Sequence, residues 1–125
     1  MLADKDAMAT IAVKDLGVAK KFYEGTLGLK PVNSQEPEVV TYKSGNSLVL
    51  VYKSRYAGTN QATALTWVAG ADVPALVRAL KDKGVKFEHY DMPGFALEGD
   101  VHVGHGMKVA WFKDPDGNIL SINGR

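Results

Sequence analysis

The sequence repeats itself, and this internal repeat constrains the fold more than any other feature of the chain. Residues 13–32 align with residues 70–88. In both runs an apolar strand pattern leads to an aspartate, Asp15 or Asp72, and then to a helical pattern of about three turns. Gly28 and Gly84 stand where the two helices are expected to end. The repeat predicts two copies of one supersecondary unit.

A turn sequence near the end of the chain helps to define that unit. The segment FKDPDGNILS, residues 112–121, has Pro115, Gly117 and Asn118 between two apolar runs, which is typical of a β-hairpin. GNSLVLV at residues 45–51 resembles GNILSIN at residues 117–123. Helices are predicted at residues 18–27 and 73–83, and strands at residues 9–13, 30–34, 39–43, 48–53, 63–69, 86–90, 108–112 and 119–122. The sequence therefore predicts a β-α-β-β-β unit that occurs twice.

Length and composition place both units in one domain. With 125 residues, of which 46% are hydrophobic, the chain can bury one core of ordinary size but not two. We predict a single α+β domain in which two β-α-β-β-β modules form a curled mixed sheet and share one core. Module one covers about residues 1–57 and module two about residues 58–125, with a polar connection at residues 54–61.

Charge and composition argue against several classes of partner. The net charge is +1 with both signs interspersed, so the chain lacks the basic surface that nucleic acid or an anionic membrane would need. No apolar run approaches the ~20 residues of a membrane span, and the first residues lack a signal-peptide core. The chain has no cysteine, which excludes disulfides and thiol chemistry. We expect a cytoplasmic protein that binds neither nucleic acid nor membrane.

Residues 91–106 show no periodicity. They contain Pro93 and glycines at positions 94, 99, 104 and 106, and this composition predicts a loop that is longer than most. Such a loop either closes over a ligand as a lid or is disordered. The sequence leaves both interpretations open.

The paired modules, the stretch VKDLGVAKKFYEGTLGL and the turn FKDPDGN together resemble the vicinal-oxygen-chelate superfamily. This superfamily includes glyoxalase I, ring-cleaving dioxygenases, fosfomycin-resistance enzymes and bleomycin-resistance binding proteins, and the resemblance covers nearly the whole chain. It implies that each module curls its sheet into a half-barrel and that two modules form a cup for a small-molecule ligand. In this family the cup often lies at a dimer interface, so the resemblance also implies a homodimer.

The metalloenzymes of the superfamily bind a divalent ion through His and Glu side chains on the first and last strand of each module. When these four ligand positions are counted along this chain from the motifs that match the family, they fall on Met8, Val49, Leu65 and Ser121. Methionine, valine and leucine offer no oxygen or nitrogen, and one serine hydroxyl cannot hold a divalent ion alone. A slip of one residue changes nothing, because the neighbours are Ala7, Ala9, Leu48, Leu50, Ala64, Thr66, Leu120 and Ile122. We therefore predict neither a metal site nor a cofactor.

Without a metal, the same cup becomes a concave and mostly apolar pocket. Strand parity with Met8, Leu65 and Ser121 predicts that six further side chains also face inward: Thr10, Ala12, Trp67, Ala69, Ile119 and Asn123. Trp67 is the best candidate for a flat platform under a planar ligand, with a position in the core as the alternative. For Trp111, packing under the hairpin is favoured over ligand contact.

Two histidines in the glycine-rich loop complete the candidate site. His102 and His105 are spaced so that they could bind a relocated metal with Asp100 or Glu98, or act as a general base near neutral pH. A pair on a loop is poorly held, so solvated or ligand-lining histidines are the favoured interpretation. The predicted ligand-binding set is Met8, Thr10, Val49, Leu65, Trp67, His102, His105, Trp111 and Ser121.

Two classes of function stay open. The first, which we favour, is a metal-free binding protein of the glyoxalase/bleomycin-resistance type that sequesters a largely apolar or aromatic ligand, with antibiotic resistance as the associated role. Bleomycin itself is disfavoured, because its cationic tail would favour an acidic cleft and this chain is nearly neutral. The second is a glyoxalase- or dioxygenase-like enzyme that uses a relocated metal site or acid–base chemistry by His102 or His105.

Overall fold

The computed structural model describes residues 1–32 and 37–125. Its first half comprises β1 (Ala9–Val13), α1 (Leu16–Lys20), a π-helical segment (Lys21–Thr26) that continues α1, β2 (Lys30–Val32), β3 (Val39–Ser44) and β4 (Ser47–Lys53). Its second half comprises β5 (Thr63–Gly70), α2 (Val73–Asp82), β6 (Phe87–Glu88), β7 (Ala96–Glu98), β8 (Val101–Gly104), β9 (Met107–Lys113) and β10 (Ile119–Gly124). The predicted α+β class is confirmed. The end of the predicted strand at residues 30–34 lies outside the described residues.

The strands form two mixed sheets, one from each half of the chain. In the N-terminal sheet the order is β1-β4-β3-β2, with β1 parallel to β4 and the other pairs antiparallel. In the C-terminal sheet the order is β5-β10-β9-β8-β7, with β5 parallel to β10, and β6 also pairs with β9. The first and last strands of each half are therefore adjacent and parallel, so one topology occurs twice. No helix in the described part of the chain is long and apolar enough to cross a membrane.

Local sequence explains where the helices begin and end. The Asp15 carboxylate accepts a hydrogen bond from the backbone N–H of Val18 at 3.1 Å, which caps the first turn of α1 as predicted. Beyond the two helical regions, Gly28 and Gly84 adopt positive φ angles of 76° and 91°. Glycine has no Cβ that would clash in this conformation, so each helix ends where the sequence predicts.

The prediction of an irregular loop at residues 91–106 is wrong in its second half. β7 and β8 form an antiparallel hairpin, in which Leu97 pairs with His102, and β8 also pairs with β9. The two strands have three and four residues, so they are too short for a periodic pattern to stand out in the sequence. The chain turns between them at Gly99, whose φ is +62°.

Each sheet has a helix-covered face and an opposite face that no described helix covers, which we call the open face. The sheet residues of the buried core all lie on the helix-covered faces: Ile11, Val13, Val40, Tyr42, Val49, Val51, Val101, Ala110, Phe112, Leu120 and Ile122. Ala19 and Tyr23 from the first helical region and Val73 and Val77 from α2 belong to the same cluster. Both halves of the chain therefore share one core. Because strand residues alternate between faces, the neighbours of these core residues point to the open face.

A buried polar contact joins the two halves beside this core. The hydroxyl of Tyr23, in the π-helical segment, donates to the carboxylate of Asp114, just after β9, over 2.6 Å. Tyr23 is fully buried and Asp114 is nearly so. Burial and the Asp114 carboxylate raise the pKa of Tyr23 well above its usual range. The hydroxyl therefore keeps its proton and stays a donor at neutral and moderately alkaline pH.

We expect Tyr23→Phe to lower the free energy of unfolding by about 1.5–3 kcal/mol at neutral pH, because it removes a donor from a buried carboxylate. Tyr56→Phe, at an exposed tyrosine, is the matched control and should change stability by less than about 0.5 kcal/mol. Urea unfolding measures both values. Equal effects of the two variants would show that the contact with Asp114 does not stabilise the fold.

The stability that Tyr23 contributes also depends on pH. In the unfolded chain a tyrosine ionises near its ordinary pKa of about 10, whereas burial keeps Tyr23 protonated in the folded state. Above that pH the folded state binds more protons than the unfolded state, so stability falls as pH rises. The difference between wild type and Tyr23→Phe should be complete below about pH 10 and shrink above it.

Candidate ligand-binding site

Polar and aromatic side chains gather on the open face of the C-terminal sheet. Strand register pairs Trp111 with Ser121. It also places Val109 of β9 between His102 of β8 and Asn123 of β10. On the adjacent β5, the Thr66 hydroxyl lies 2.7 Å from the Ser121 hydroxyl. His102 and Ser121 are almost fully buried although they face away from the core. Six of these side chains form what we call the open-face site: Thr66, Tyr90, His102, Trp111, Ser121 and Asn123.

Aromatic packing fixes the shape of the open-face site. The Trp111 ring meets the His102 ring edge-on with 4.8 Å between centroids, and it meets the Tyr90 ring in the same way at 5.3 Å. Its indole N–H donates to the Thr63 hydroxyl at 3.1 Å. Trp111 is nevertheless only half-buried. The indole is therefore held in one orientation while part of it stays accessible, as a platform for a planar ligand requires.

His102 uses both of its ring nitrogens within the protein. Nε2 accepts a hydrogen bond from the backbone N–H of Tyr90 at 2.9 Å, and Nδ1 lies 3.2 Å from the carbonyl oxygen of Val109. Because an N–H can donate only to an unprotonated nitrogen, Nδ1 carries the ring proton and donates it to Val109. Neither nitrogen is free to bind a metal or to accept a proton from a substrate. His102 therefore supports the site and positions Tyr90.

Two polar atoms near the site are buried without a hydrogen-bond partner among the described residues: the Tyr90 hydroxyl and Asn123 Oδ1. Burial raises the pKa of Tyr90, and the Glu88 carboxylate adds to this effect, so the hydroxyl keeps its proton. An unsatisfied buried polar atom costs about 1–3 kcal/mol. Because both atoms are buried, a ligand that pairs with them would recover part of this cost only after neighbouring side chains move to admit it.

Part of the predicted ligand-binding set lies on the open face. Register and alternation place four of its members there: Thr10, His102, Trp111 and Ser121. Of the further residues predicted to face inward, Ala12, Ile119 and Asn123 share this face. Met8 lies just before β1 and is 40% exposed, whereas His105 lies in the turn between β8 and β9. Contact of these residues with a ligand stays a prediction.

The orientation predicted for Val49, Leu65 and Trp67 is wrong, because all three lie on helix-covered faces. Val49 is buried in the core, and Leu65 and Trp67 pack against it. Trp67 pairs in register with Ile122, and its ring stacks on Phe112 with 6.2 Å between centroids. Trp67 therefore takes the alternative position beside the core. The aromatic platform of the open face is Trp111.

Strand pairing explains these errors. A register shift between β10 and β5 falls at the end of both strands, just before α2, so an offset counted back from α2 does not preserve which face a residue occupies. In β5 Leu65, Trp67 and Ala69 face the core and the polar Thr66 faces away from it, but the apolar Val68 shares the face of Thr66, so the sequence pattern alone does not separate the two faces. In β4, apolar residues occupy both faces, so only the pairing with β1 shows that Val49 points into the core.

The open face does not offer the ligands of the metal that the resemblance implies. With the orientations corrected, the residues that face it from the first and last strand of each half include Thr10, Leu50, Thr66 and Ser121. Three hydroxyls and a leucine do not make a divalent-metal site. Within residues 1–32 and 37–125, no three His, Asp or Glu side chains come close enough together to hold an ion. The described donors therefore do not fit such a metal.

Asp100, a candidate ligand for a relocated metal, is engaged elsewhere. Its carboxylate accepts from Lys81 Nζ and from His89 Nε2, both at 2.6 Å, and these contacts lower its pKa. Lys81 belongs to α2, whereas Asp100 lies between β7 and β8. The contacts therefore tie the β7–β8 hairpin to the helix-covered side and leave Asp100 unavailable to a site with His102 and His105.

Comparison with known proteins agrees with this fold. The family model of the Glyoxalase/Bleomycin resistance protein/Dioxygenase superfamily matches residues 7–122. The chain therefore belongs to this superfamily, as the sequence resemblance implied. None of the curated proteins matches the sequence significantly.

Solved structures share the fold at low sequence identity. An integron cassette protein from the mobile metagenome of the Halifax Harbour sewage outfall is 17% identical, with a TM-score of 0.72 over 98% of this chain and 99% of that chain. Lactoylglutathione lyase from Agrobacterium tumefaciens is 18% identical, with a TM-score of 0.71 over 97% and 93%. The fosfomycin resistance protein FosX from Listeria monocytogenes is 12% identical, with a TM-score of 0.66 over 100% and 93%. At these identities the similarity shows the fold alone.

The hydrogen bonds of His102 predict a stabilising role. His102→Ala leaves a backbone N–H and a carbonyl oxygen without their partners, so we expect it to lower the free energy of unfolding by about 2–3 kcal/mol. His105→Ala, at an exposed turn residue whose ring packs against Phe95, should lower it by no more than about 1 kcal/mol. Urea unfolding of both variants tests this difference. A neutral effect of His102→Ala would show that its nitrogens are not engaged as described.

Proposed function

We propose that the chain is a metal-free small-molecule binding protein of the glyoxalase/bleomycin-resistance type, which holds a largely apolar or aromatic ligand at the open-face site. The observation that carries this proposal is the half-buried Trp111 ring, fixed by Tyr90 and His102. Beside it, the Tyr90 hydroxyl and Asn123 Oδ1 lack hydrogen-bond partners among the described residues. An aromatic surface with a few convergent polar groups is typical of small-molecule sites.

The described donors also favour binding without a metal. Because they do not form a metal site, a ligand at this position is held by stacking on Trp111 and by hydrogen bonds to polar side chains. One solved relative is a fosfomycin resistance protein, and the superfamily description includes bleomycin resistance proteins. Sequestration of an antibiotic in the cytoplasm is accordingly the biological role that we propose. Both the role and the location stay predictions.

An enzyme is the second candidate, favoured by the similarity to a lactoylglutathione lyase. His102 is a poor general base, because both its nitrogens are engaged. His105 is exposed and packs edge-on against Phe95 with 5.3 Å between centroids, so it is the member of the predicted pair that stays accessible. If the protein catalyses a reaction through His105, turnover disappears in His105→Ala while ligand binding at Trp111 persists.

A ligand-binding measurement tests the proposed site. For an aromatic molecule selected by a thermal-shift screen, we expect Trp111→Ala to weaken binding by about 1–3 kcal/mol, because the stacking platform is lost. Tyr56→Ala is the matched control, since Tyr56 is an exposed aromatic in the connection between the two halves, and it should leave the affinity within about threefold. Isothermal titration measures both. The site is misplaced if Trp111→Ala binds the molecule as well as Tyr56→Ala does.

Metal analysis tests the second part of the proposal. We expect the purified protein to carry no stoichiometric divalent metal, and added nickel, zinc, iron or manganese should not raise its melting temperature. The reason is that Thr10, Leu50, Thr66 and Ser121 do not supply the required donors. One bound ion per chain that disappears in a His102→Ala, His105→Ala double variant would instead support a relocated catalytic site.

We further propose a homodimer in which a second copy covers the open faces. Both helix-covered faces pack into the shared core. On the open side, by contrast, apolar residues such as Leu48 and Val68 are 42% and 89% exposed. Exposed apolar surface and uncovered sheet edges favour association. A cup completed by a partner is also what the resemblance implies.

Light scattering at micromolar concentration should give twice the chain mass of 13.5 kDa. Val68→Asp places a charge on the apolar open face and should yield a monomer. Val18→Asp, at a residue 48% exposed on α1, is the matched control and should stay dimeric. A wild-type monomer would refute the homodimer and leave the open-face site to a single chain.

A further inference from the structure

A second cavity lies on the other side of the C-terminal sheet from the open-face site. It has a volume of about 410 Å³ and sits between the two halves of the chain. Trp67 and Phe112 line it from the sheet, Leu27 and Leu29 from the end of the first helical region, and Leu76 and Leu80 from α2. The volume falls in the range of small-molecule sites, roughly 300–1,000 Å³.

The aromatic wall of this inter-module cavity is held in a fixed orientation. The Trp67 indole N–H donates to the Ser44 hydroxyl at 2.9 Å, and Ser44 belongs to the other half of the chain. The Trp67 ring lies nearly parallel to the Phe112 ring, at an angle of 9°. Its polar edge is satisfied and its ring is only half-buried. A ligand therefore meets a preorganised flat surface that does not need to reorient.

Charges at the two ends of the cavity indicate which ligands fit. Asp72 and Lys83 both line it, and they precede and follow α2. Since a helix rises about 1.5 Å per residue, the two residues stand roughly 16 Å apart along it. Opposite charges at opposite ends leave the apolar middle, formed by leucines and aromatic rings, without a net charge. An uncharged ligand avoids the cost of burying a charge there.

We infer that this inter-module cavity is a second ligand-binding site, which takes a small, uncharged aromatic molecule against Trp67. Its aromatic wall is separate from the open-face site, because Trp67 and Trp111 belong to opposite faces of one sheet, and Val68 of the edge strand β5 reaches only its rim. The enclosing elements, the end of the first helical region and α2, leave room for a small molecule rather than for a protein segment. The inference goes beyond the proposed function and does not depend on it.

The test uses N-phenyl-1-naphthylamine, an uncharged aromatic dye that fluoresces in apolar sites and accepts energy from tryptophan. Ala79, on the exposed side of α2, lines the cavity, so Ala79→Phe fills its mouth and should weaken dye binding about tenfold or more. Ala75→Phe, at an exposed alanine of the same helix that does not line the cavity, is the matched control. It should leave the affinity within about twofold.

Substitutions of the two tryptophans locate the dye independently of the alanine variants. Trp111→Phe, on the opposite face of the sheet, should leave the dye affinity within about twofold of the wild type. Trp67→Ala removes the flat wall of the cavity and should weaken dye binding about tenfold or more. The inference is overturned if the wild type does not bind the dye, if Ala79→Phe binds as well as Ala75→Phe, or if Trp111→Phe weakens binding and Trp67→Ala does not. An affinity that falls as protein concentration rises would also overturn it, because a second copy would then occupy the cavity.

Discussion

The carboxylate of Asp114 is the polar centre on which the arrangement of the two halves depends. It accepts hydrogen bonds from the Tyr23 hydroxyl, from the backbone N–H groups of Asp116 and Asn118, and from the Asn118 side-chain amide. The same amide also donates to the carbonyl oxygen of Ala12 in β1. A buried carboxylate is costly unless such donors surround it. One turn therefore fixes its own shape and, through Tyr23 and β1, the position of the other half of the chain.

The repeat produces a second, related contact between the two halves. The end of β3 supplies Ser44, whose hydroxyl accepts from Trp67 in the other half, just as the turn after β9 reaches Ala12 and Tyr23. In each half, residues beside a hairpin turn thus form hydrogen bonds with the first strand or the helix of the other half. Because these contacts cross between the halves, neither half satisfies its polar groups alone. The shared core and the crossing turns explain why the chain folds as one unit.

Local sequence patterns predicted the elements of this fold well, but they predicted less of the site. Asp15 caps α1 and Gly28 ends the first helical region because these effects act within one turn of the chain. The β7–β8 hairpin was missed because its strands have only three and four residues, which is too short for a periodic pattern to stand out. The position of Tyr90 was missed for a different reason, since only the fold brings it against Trp111.

The faces of the sheets show where sequence reasoning reaches its limit. Side chains alternate with a period of two, so an error of one residue moves a side chain from the site to the core. Thr66 beside Trp67 is one polar residue on the open face, but apolar residues occupy both faces of β5 and of β4, so only strand pairing assigns Trp67 and Val49 to the core side. The corrected orientations separate Trp67 from Trp111, one beside the core and one on the open face. Because the sheet lies between the two proposed sites, substitutions on one face should leave ligand binding on the other unchanged.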